Sequence, residues 1–491
     1  MLPDPVSAPP SMSAARASRL ATLGLFLGLT LSLLLGCGGG SPGEGSGANA
    51  GGGQAASPSQ AVSLYVERVF HEHYLWSAKL PPAGAEAYPS PEAMVRDLVA
   101  RGGGERDPWT CLKRTAGGQA WTLSAMEAGQ DRTFAPGGPV SAAGEQTTMP
   151  IQPLEALDFG FQIAGRQAAP GQAGVFITRV RPGSSAAQSG LRRGDRILDA
   201  GSSLAGVADA GARFNTLWAM ACRNWIVSAG PPPGEGTRMG FRIQPAGGGP
   251  VRDLDLARTR HDAAPVPAGP APILAAGAHR VGYLAYHGFI RGSEPRLRER
   301  MAQFRREGVT DLILDLRYNL GGDLETTQVL ANLLCARDAA GTVMFRQVGN
   351  GRRPEAVTHF QPEAEALYPM KLACIVSEQS ASASEALINA LLPGYQGNLA
   401  MVGRRTGGKP VVCSHFPIPG TDLTLALVSA RVLNAQGQGD YWNGLPYAGF
   451  AGATCAAPDQ LGHPQGDPRE ASTRAALDWI ETGAAALGPV R

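Results

Sequence analysis

Lysine is nearly absent from this sequence. Of its 43 basic residues only Lys79, Lys113, Lys371 and Lys409 are lysines, so an amine standing where chemistry needs one gains weight. A surplus of one charge sign is missing as well. With 43 basic and 41 acidic residues the formal charge is +2, and no clustered basic excess is available to neutralise phosphates, which argues against a nucleic-acid partner. No Cys-x-x-Cys pair occurs, so structural zinc loses its usual ligand pattern. His71-Glu72-His73 does not supply HExxH, and side chains at i and i+2 leave a helix in different directions. Nor does any apolar run reach the roughly 20 residues of a membrane-spanning helix. What is present is an ordinary globular balance over 491 residues, 43% hydrophobic and 17% charged, punctuated by 65 Gly and 39 Pro. That length accommodates about two to four domains.

The N-terminus reads as an address. Arg16 and Arg19 precede an apolar run from Leu20 to Leu35, the length of a secretory signal's hydrophobic region. Its ending, Leu34-Leu35-Gly36-Cys37, resembles a bacterial lipobox. The resemblance implies cleavage before Cys37 and lipid attachment there; the alternative is an ordinary signal peptide with a chance cysteine. Residues 1–36 are therefore expected to be a leader and 37–59 a Gly/Ser-rich tether. Gly38 after the cysteine implies, by the same analogy, an outer-membrane anchor facing the periplasm. Six cysteines remain (Cys111, Cys222, Cys335, Cys374, Cys413 and Cys455), enough for three disulfides in an oxidising compartment, with 15 connectivities left open.

Residues 60–150 read as a small helical domain, with helices expected over Ala61–Trp76 and Pro91–Ala100. Residues 151–262 read as short strands. Phe159-Gly160-Phe161-Gln162-Ile163, a strand over 174–180, an alanine-rich turn of helix and Gly190-Leu191-Arg192-Arg193-Gly194-Asp195-Arg196-Ile197-Leu198 follow in an order that resembles a PDZ domain. Such domains take an extended peptide onto a sheet edge and bind its terminal carboxylate with loop amides, here expected at Phe159, Gly160 and Phe161. Asp158 beside that loop would repel a carboxylate unless it points outward. Asn215 to Ile226 reads as an insertion or a second helix. A Pro/Ala-rich linker, 263–278, leads to 279–491, where buried strands (281–286, 311–316, 372–376, 400–403, 423–432) alternate with helices (295–307, 326–335, 383–392, 470–480), an α/β layer.

Three segments of this last domain could carry chemistry. Asp315-Leu316-Arg317-Tyr318-Asn319-Leu320-Gly321-Gly322 runs a strand into a double-glycine turn, where backbone amides can approach a ligand closely. Alone, it is equally a tight connection. Ser380-Ala381-Ser382-Ala383-Ser384-Glu385 opens a helix, so Ser382 stands at the positive end of the dipole. Ser382-x-x-Glu385 is also a capping box, which needs no chemistry. In Thr406-Gly407-Gly408-Lys409-Pro410-Val411-Val412, burial against Pro410, Val411 and Val412, with Arg404 and Arg405 near and no local acid, would favour a neutral amine at Lys409. A surface lysine after a glycine turn is the plain alternative.

Together and in this order the three segments resemble the carboxyl-terminal processing (tail-specific) peptidase family. The resemblance implies an α/β, ClpP/crotonase-like peptidase domain behind the PDZ domain. It implies Ser382 as nucleophile and Lys409 as general base, with an oxyanion hole from the Ala383 amide and a glycine of the Gly321-Gly322 pair. It implies no metal and no cofactor, and polypeptide substrates with accessible C-terminal tails. Two positions depart from the family: Cys413 stands where a Gln often orients the lysine, and Pro393 where an acid often follows the nucleophile. Thr406 is a candidate orienting group. The rival readings are a peptide-binding lipoprotein that lost the chemistry, an esterase-like hydrolase, and a Ser-His-Asp triad drawing on His279, His287, His359 or His415.

Overall fold

The computed structural model describes residues 57–82, 84–116, 119–122, 155–167, 173–201, 234–335 and 337–483. The leader, Cys37, the tether through residue 56, Cys222 and the 215–226 segment lie outside the described residues.

Two serine–proline pairs open the first helices. Ser57 accepts the Gln60 N–H ahead of α1 (Pro58–His73), and Ser90 accepts the Ala93 N–H ahead of α2 (Pro91–Arg101), each at 3.2 Å. Proline in the first turn sacrifices nothing, because the N–H there has no carbonyl to bind. The caps shift α1 toward the N-terminus of the expected 61–76, and extended backbone at Tyr74 ends it. These helices do not form a core by themselves. Val62, Val66, Phe70, Met94 and Leu98 share one with Leu112, Val411, Phe416, Leu425 and Leu427, nearly 300 residues away along the chain.

The partner surface is an antiparallel sheet that periodicity missed in part. The 12-residue strand β18 (Leu423–Asn434) pairs on one edge with β17 (Val411–Pro417). On the other it takes β1 (Cys111–Ala116), with Cys111 opposite Ala426, and then β13 (Val343–Val348). Strands β2 (Gln119–Thr122) and β14 (Ala356–His359) extend it. The N-terminal region expected to be helical thus contributes strands as well.

The PDZ-like region forms a five-stranded antiparallel sheet in the order β4 (Phe161–Gln167), β5 (Ala173–Val180), β6 (Arg196–Gly201), β7 (Arg238–Gln244), β8 (Arg252–Ala257). One helical turn, α3 (Ser185–Gln188), and the pair β3 (Glu155–Asp158)–β9 (Thr259–Asp262) complete it. Phe159, Phe161, Ile177, Phe241 and Ile243 fill its centre. The following connection is not only a linker: its residues Ile273–Ala276 form β10, the antiparallel edge of the next sheet.

That sheet runs β10, β11 (His279–Ala285), β12 (Asp311–Asp315), β15 (Leu372–Val376), β16 (Leu399–Gly403), β19 (Ala453–Ala456), parallel from β11 onward. Alternation divides its faces. Leu312, Leu314, Leu372 and Cys374 face α4 (Glu294–Arg306), α5 (Leu324–Leu334) and α6 (Ala383–Tyr395), whereas Ile313, Ala373, Ile375 and Val402 face α7 (Ala471–Thr482). The fold is an α/β peptidase-type layer preceded by a mainly-β domain, as the motifs imply. Cys111, Cys335, Cys374, Cys413 and Cys455 are all free thiols, so the disulfides that export would permit are not made by these five.

Candidate active site

Strand β12 delivers the chain into a turn whose side chains are nearly all committed. Arg317 is wholly buried and pairs with Asp315 at 2.6 Å, Asp459 at 2.7 Å and Glu470 at 2.9 Å. Tyr318 adopts a left-handed φ of 64° and donates its hydroxyl to the same Asp459. Asn319, also buried, ties the turn together. Its Nδ2 donates to the Tyr286 carbonyl at 2.9 Å and its Oδ1 accepts the Gly321 N–H at 2.9 Å. Its carbonyl accepts the Ala381 N–H at 3.1 Å and the Ser384 hydroxyl at 2.9 Å. The double-glycine turn therefore hangs on the serine segment. A Cβ on Gly321 (φ 96°) would stand 2.6 Å from the Ala381 carbonyl, 2.7 Å from the Ala383 nitrogen and 2.8 Å from the Ser382 Cβ. Only glycine allows that approach.

The three serines of the Ser-Ala-Ser-Ala-Ser run differ in what they do. Ser380 and Ser384 are fully buried, their hydroxyls donating to the Leu316 and Asn319 carbonyls at 2.7 and 2.9 Å. Ser382 between them is only partly buried. It takes φ 57° and ψ −114° at the head of α6, a conformation that costs a non-glycine residue about 1–3 kcal/mol and persists where its surroundings enforce it.

Glu385 supplies much of that enforcement. Fully buried, it accepts four hydrogen bonds: from the Ser382 and Lys409 N–H groups at Oε2, and from the Gly408 N–H and Thr406 hydroxyl at Oε1. Burial raises its carboxyl above the usual range, and the Thr406 hydroxyl and the backbone donors pull it back. The carboxylate of the expected capping box thus does a second task, clamping the lysine segment to the serine turn. The sequence pattern exposed the Glu385 position but not this partner. Thr406 orients Glu385 and receives the Leu445 N–H at 2.6 Å.

The expected absence of a local acid near Lys409 is overturned by Glu385. Arg404 and Arg405 also have other engagements: Arg404 reaches exposed Glu378 at 3.2 Å, and Arg405 donates to the Pro446 carbonyl at 2.7 Å. Lys409 itself is buried, with its Nζ 5.4 Å from the centre of the Trp109 ring. Trp109 comes from the chain ahead of β1, and no signal in the sequence marked it. His415 on β17 lies nearby; burial, then Lys113 and Lys409, push its imidazole down to about 3. Of the other histidines, His279 binds Asp311 at 2.7 Å at the start of β11, and His359 ends β14.

The expected peptide-capture loop is closed by its own acid. Asp158 points inward: its Oδ1 accepts the Gly160 N–H at 2.6 Å and its Oδ2 meets Arg181 at 2.8 Å, with His261 at 3.1 Å. Phe159 and Phe161 are buried against Phe241, ring centres 5.3 Å apart in each pair. Opposite this loop, Arg193 of the Gly-Asp turn reaches the peptidase domain and pairs with Asp459, the acid shared by Arg317 and Tyr318. Among the described residues no group of His, Cys, Asp and Glu side chains is arranged to hold a metal ion.

Residues 280–444 match Peptidase family S41 and residues 152–203 match the PDZ domain. A CtpA-like serine protease of Staphylococcus epidermidis is 30% identical over 132 residues, 27% of this chain and 26% of that one. A carboxyl-terminal-processing protease of Picosynechococcus is 31% identical over 140 residues, 28% of this chain and 32% of the relative. The matched stretch thus spans about a quarter to a third of those relatives. An S41 protease structure from Bacteroides fragilis superposes with a TM-score of 0.60 at 21% identity, covering 85% of this chain and 97% of that one, and shows the same fold. With an S41 peptidase domain set behind a PDZ domain, the chain is a member of the carboxyl-terminal processing peptidase family.

Proposed function

We propose that the protein is a serine endopeptidase that cleaves polypeptides near their C-terminal tails with a Ser382–Lys409 dyad. The observation that carries this reading is the Glu385 carboxylate, which binds the backbone of both residues at 2.8 Å and so holds two positions 27 residues apart in one site. In this mechanism the Ser382 hydroxyl attacks the scissile carbonyl, while Lys409 accepts its proton and returns it to the leaving amine. The developing oxyanion falls to the Ala383 N–H, first in its helix and without a preceding turn to bind, and to a double-glycine amide. The Gly321 N–H is spent on Asn319, which favours Gly322. Each such donor is worth about 3 kcal/mol.

The substrate strand would add to the edge of β4, which pairs on one side with β5. Capture of a terminal carboxylate at Phe159–Phe161 would require Asp158 to release the Gly160 N–H. The Leu-Leu-Gly-Cys leader supports lipid anchoring at Cys37, in the cell envelope and facing the periplasm from the outer membrane.

The test is cleavage of an unstructured polypeptide with an apolar C-terminus by protein lacking residues 1–37. Cleavage is expected, and its loss in both Ser382→Ala and Lys409→Ala with unchanged circular dichroism. Undiminished cleavage by Lys409→Ala would remove the dyad.

A further inference from the structure

A cavity of about 390 Å³ lies between the PDZ sheet, the 263–272 connection and the β11 end of the peptidase sheet. Val180, Val266, Pro267 and Leu284 give it apolar walls, and Arg179 and His287 give it polar ones. Arg179 is the anomaly. Its guanidinium makes no hydrogen bond or ion pair among the described residues. Asp262, the acid that acts on it, is already engaged by the Ala264 N–H at 2.9 Å and by Arg296 at 2.8 Å. A desolvated guanidinium without an anion is costly to keep, so such groups are ordinarily paired. Burial, with Arg181 adding to it, lowers its pKa to about 9. His287 feels the same positive field: burial, then Arg179, Arg181, Arg317 and Arg193, hold its imidazole well below its ordinary range and so neutral. Its ring likewise has no hydrogen-bond partner among the described residues.

We infer that this cavity is a binding site for a carboxylate with a short apolar tail, its oxygens taken by the Arg179 fork. A guanidinium presents two parallel donors that match a carboxylate, and neutral His287 can add a third. Apolar walls favour a monoanion with a hydrocarbon part over inorganic phosphate. The volume is at the small end of ligand pockets, room for a terminal residue or a small organic acid and not for a long segment. The site is separate from the Asp158–Phe161 loop and from Ser382. An occupant would sit one residue from Tyr286, whose carbonyl holds Asn319.

Calorimetry on the whole chain carrying Ser382→Ala, which prevents turnover, tests the inference with four probes: isovalerate, the dipeptide Ala-Leu, its C-terminal amide, and inorganic phosphate. The expected result is binding of isovalerate or Ala-Leu, at least tenfold weaker for the amide and for phosphate, and at least tenfold weaker in Arg179→Gln. Isovalerate binding alone assigns a free acid as the source, and Ala-Leu binding alone a peptide end. Thermal melting supplies a second readout. Arg179→Met, which removes an unpaired buried charge, should melt no lower than its parent without ligand, and its melting point should no longer rise with the acid. Equal binding of acid and amide, preference for phosphate, or undiminished binding in Arg179→Gln would overturn the site. So would a fall in the melting point of unliganded Arg179→Met, which would make Arg179 a structural residue.

Discussion

The carboxylate of Glu385 and the backbone N–H of Lys409 meet at 2.8 Å in the interior, and the same oxygen accepts the Ser382 N–H at 2.8 Å. Removing one partner of a buried, charge-assisted bond exposes the full desolvation cost of those left behind. Glu385→Gln keeps the shape but turns an amide toward donors. We expect it to cost about 2–4 kcal/mol in urea unfolding and to lower kcat far more than it raises KM, because the lysine segment is displaced. An unfolding midpoint equal to the parent's would show that the clamp bears no strain.

The serines separate function from folding. Ser382→Ala should abolish cleavage at unchanged stability. Ser380→Ala and Ser384→Ala each remove one buried bond to a carbonyl and should lower stability by about 1–3 kcal/mol while retaining measurable turnover. Loss of all turnover in a folded Ser384→Ala would reassign the nucleophile.

Gly321→Ala places a methyl group within 2.8 Å of three atoms of the serine turn, at a φ of 96°. The backbone must move, so kcat should fall a hundredfold or more, which corresponds to the roughly 2.7 kcal/mol of one lost oxyanion donor. Single-turnover kinetics would check it; a loss under tenfold means the turn tolerates a side chain.

Trp109 lies against the Lys409 amine. A ring face stabilises an ammonium by about 0.5–2 kcal/mol. Trp109→Leu should therefore move the acid limb of the kcat/KM profile toward lower pH, by about half a unit or more, with Trp109→Phe between. An unmoved limb would leave Trp109 a packing residue.

His415, buried neutral with its imidazole pushed down to about 3, predicts an acid-sensitive fold. Its folded pKa is below the unfolded 6.5, so its contribution is complete above pH 6.5 and declines as pH falls toward 3, because the unfolded chain takes up the proton first. Between pH 7 and 5 that amounts to about 2 kcal/mol. His415→Gln should flatten this limb of the urea-unfolding stability curve without removing it, since His287 acts in the same sense. A limb of unchanged slope would exclude His415.

Local chemistry wrote much of this protein into its sequence. Buried apolar runs separated by polar helices specify the parallel sheet, because only such strands can be covered on both faces. Glycines at Gly321 and Gly322 and the serine run mark the turns of the site, because those backbone shapes exclude most residues. Long-range pairing was illegible. β1 joins β18 across more than 300 residues, Trp109 reaches Lys409 from the opposite end of the chain, and Asp459 gathers Arg193, Arg317 and Tyr318 from three regions. Periodicity reports which face of an element is buried and never against what. The tertiary structure alone decided that Glu385 serves the lysine, that Asp158 closes its own loop and that Arg179 is left facing a cavity.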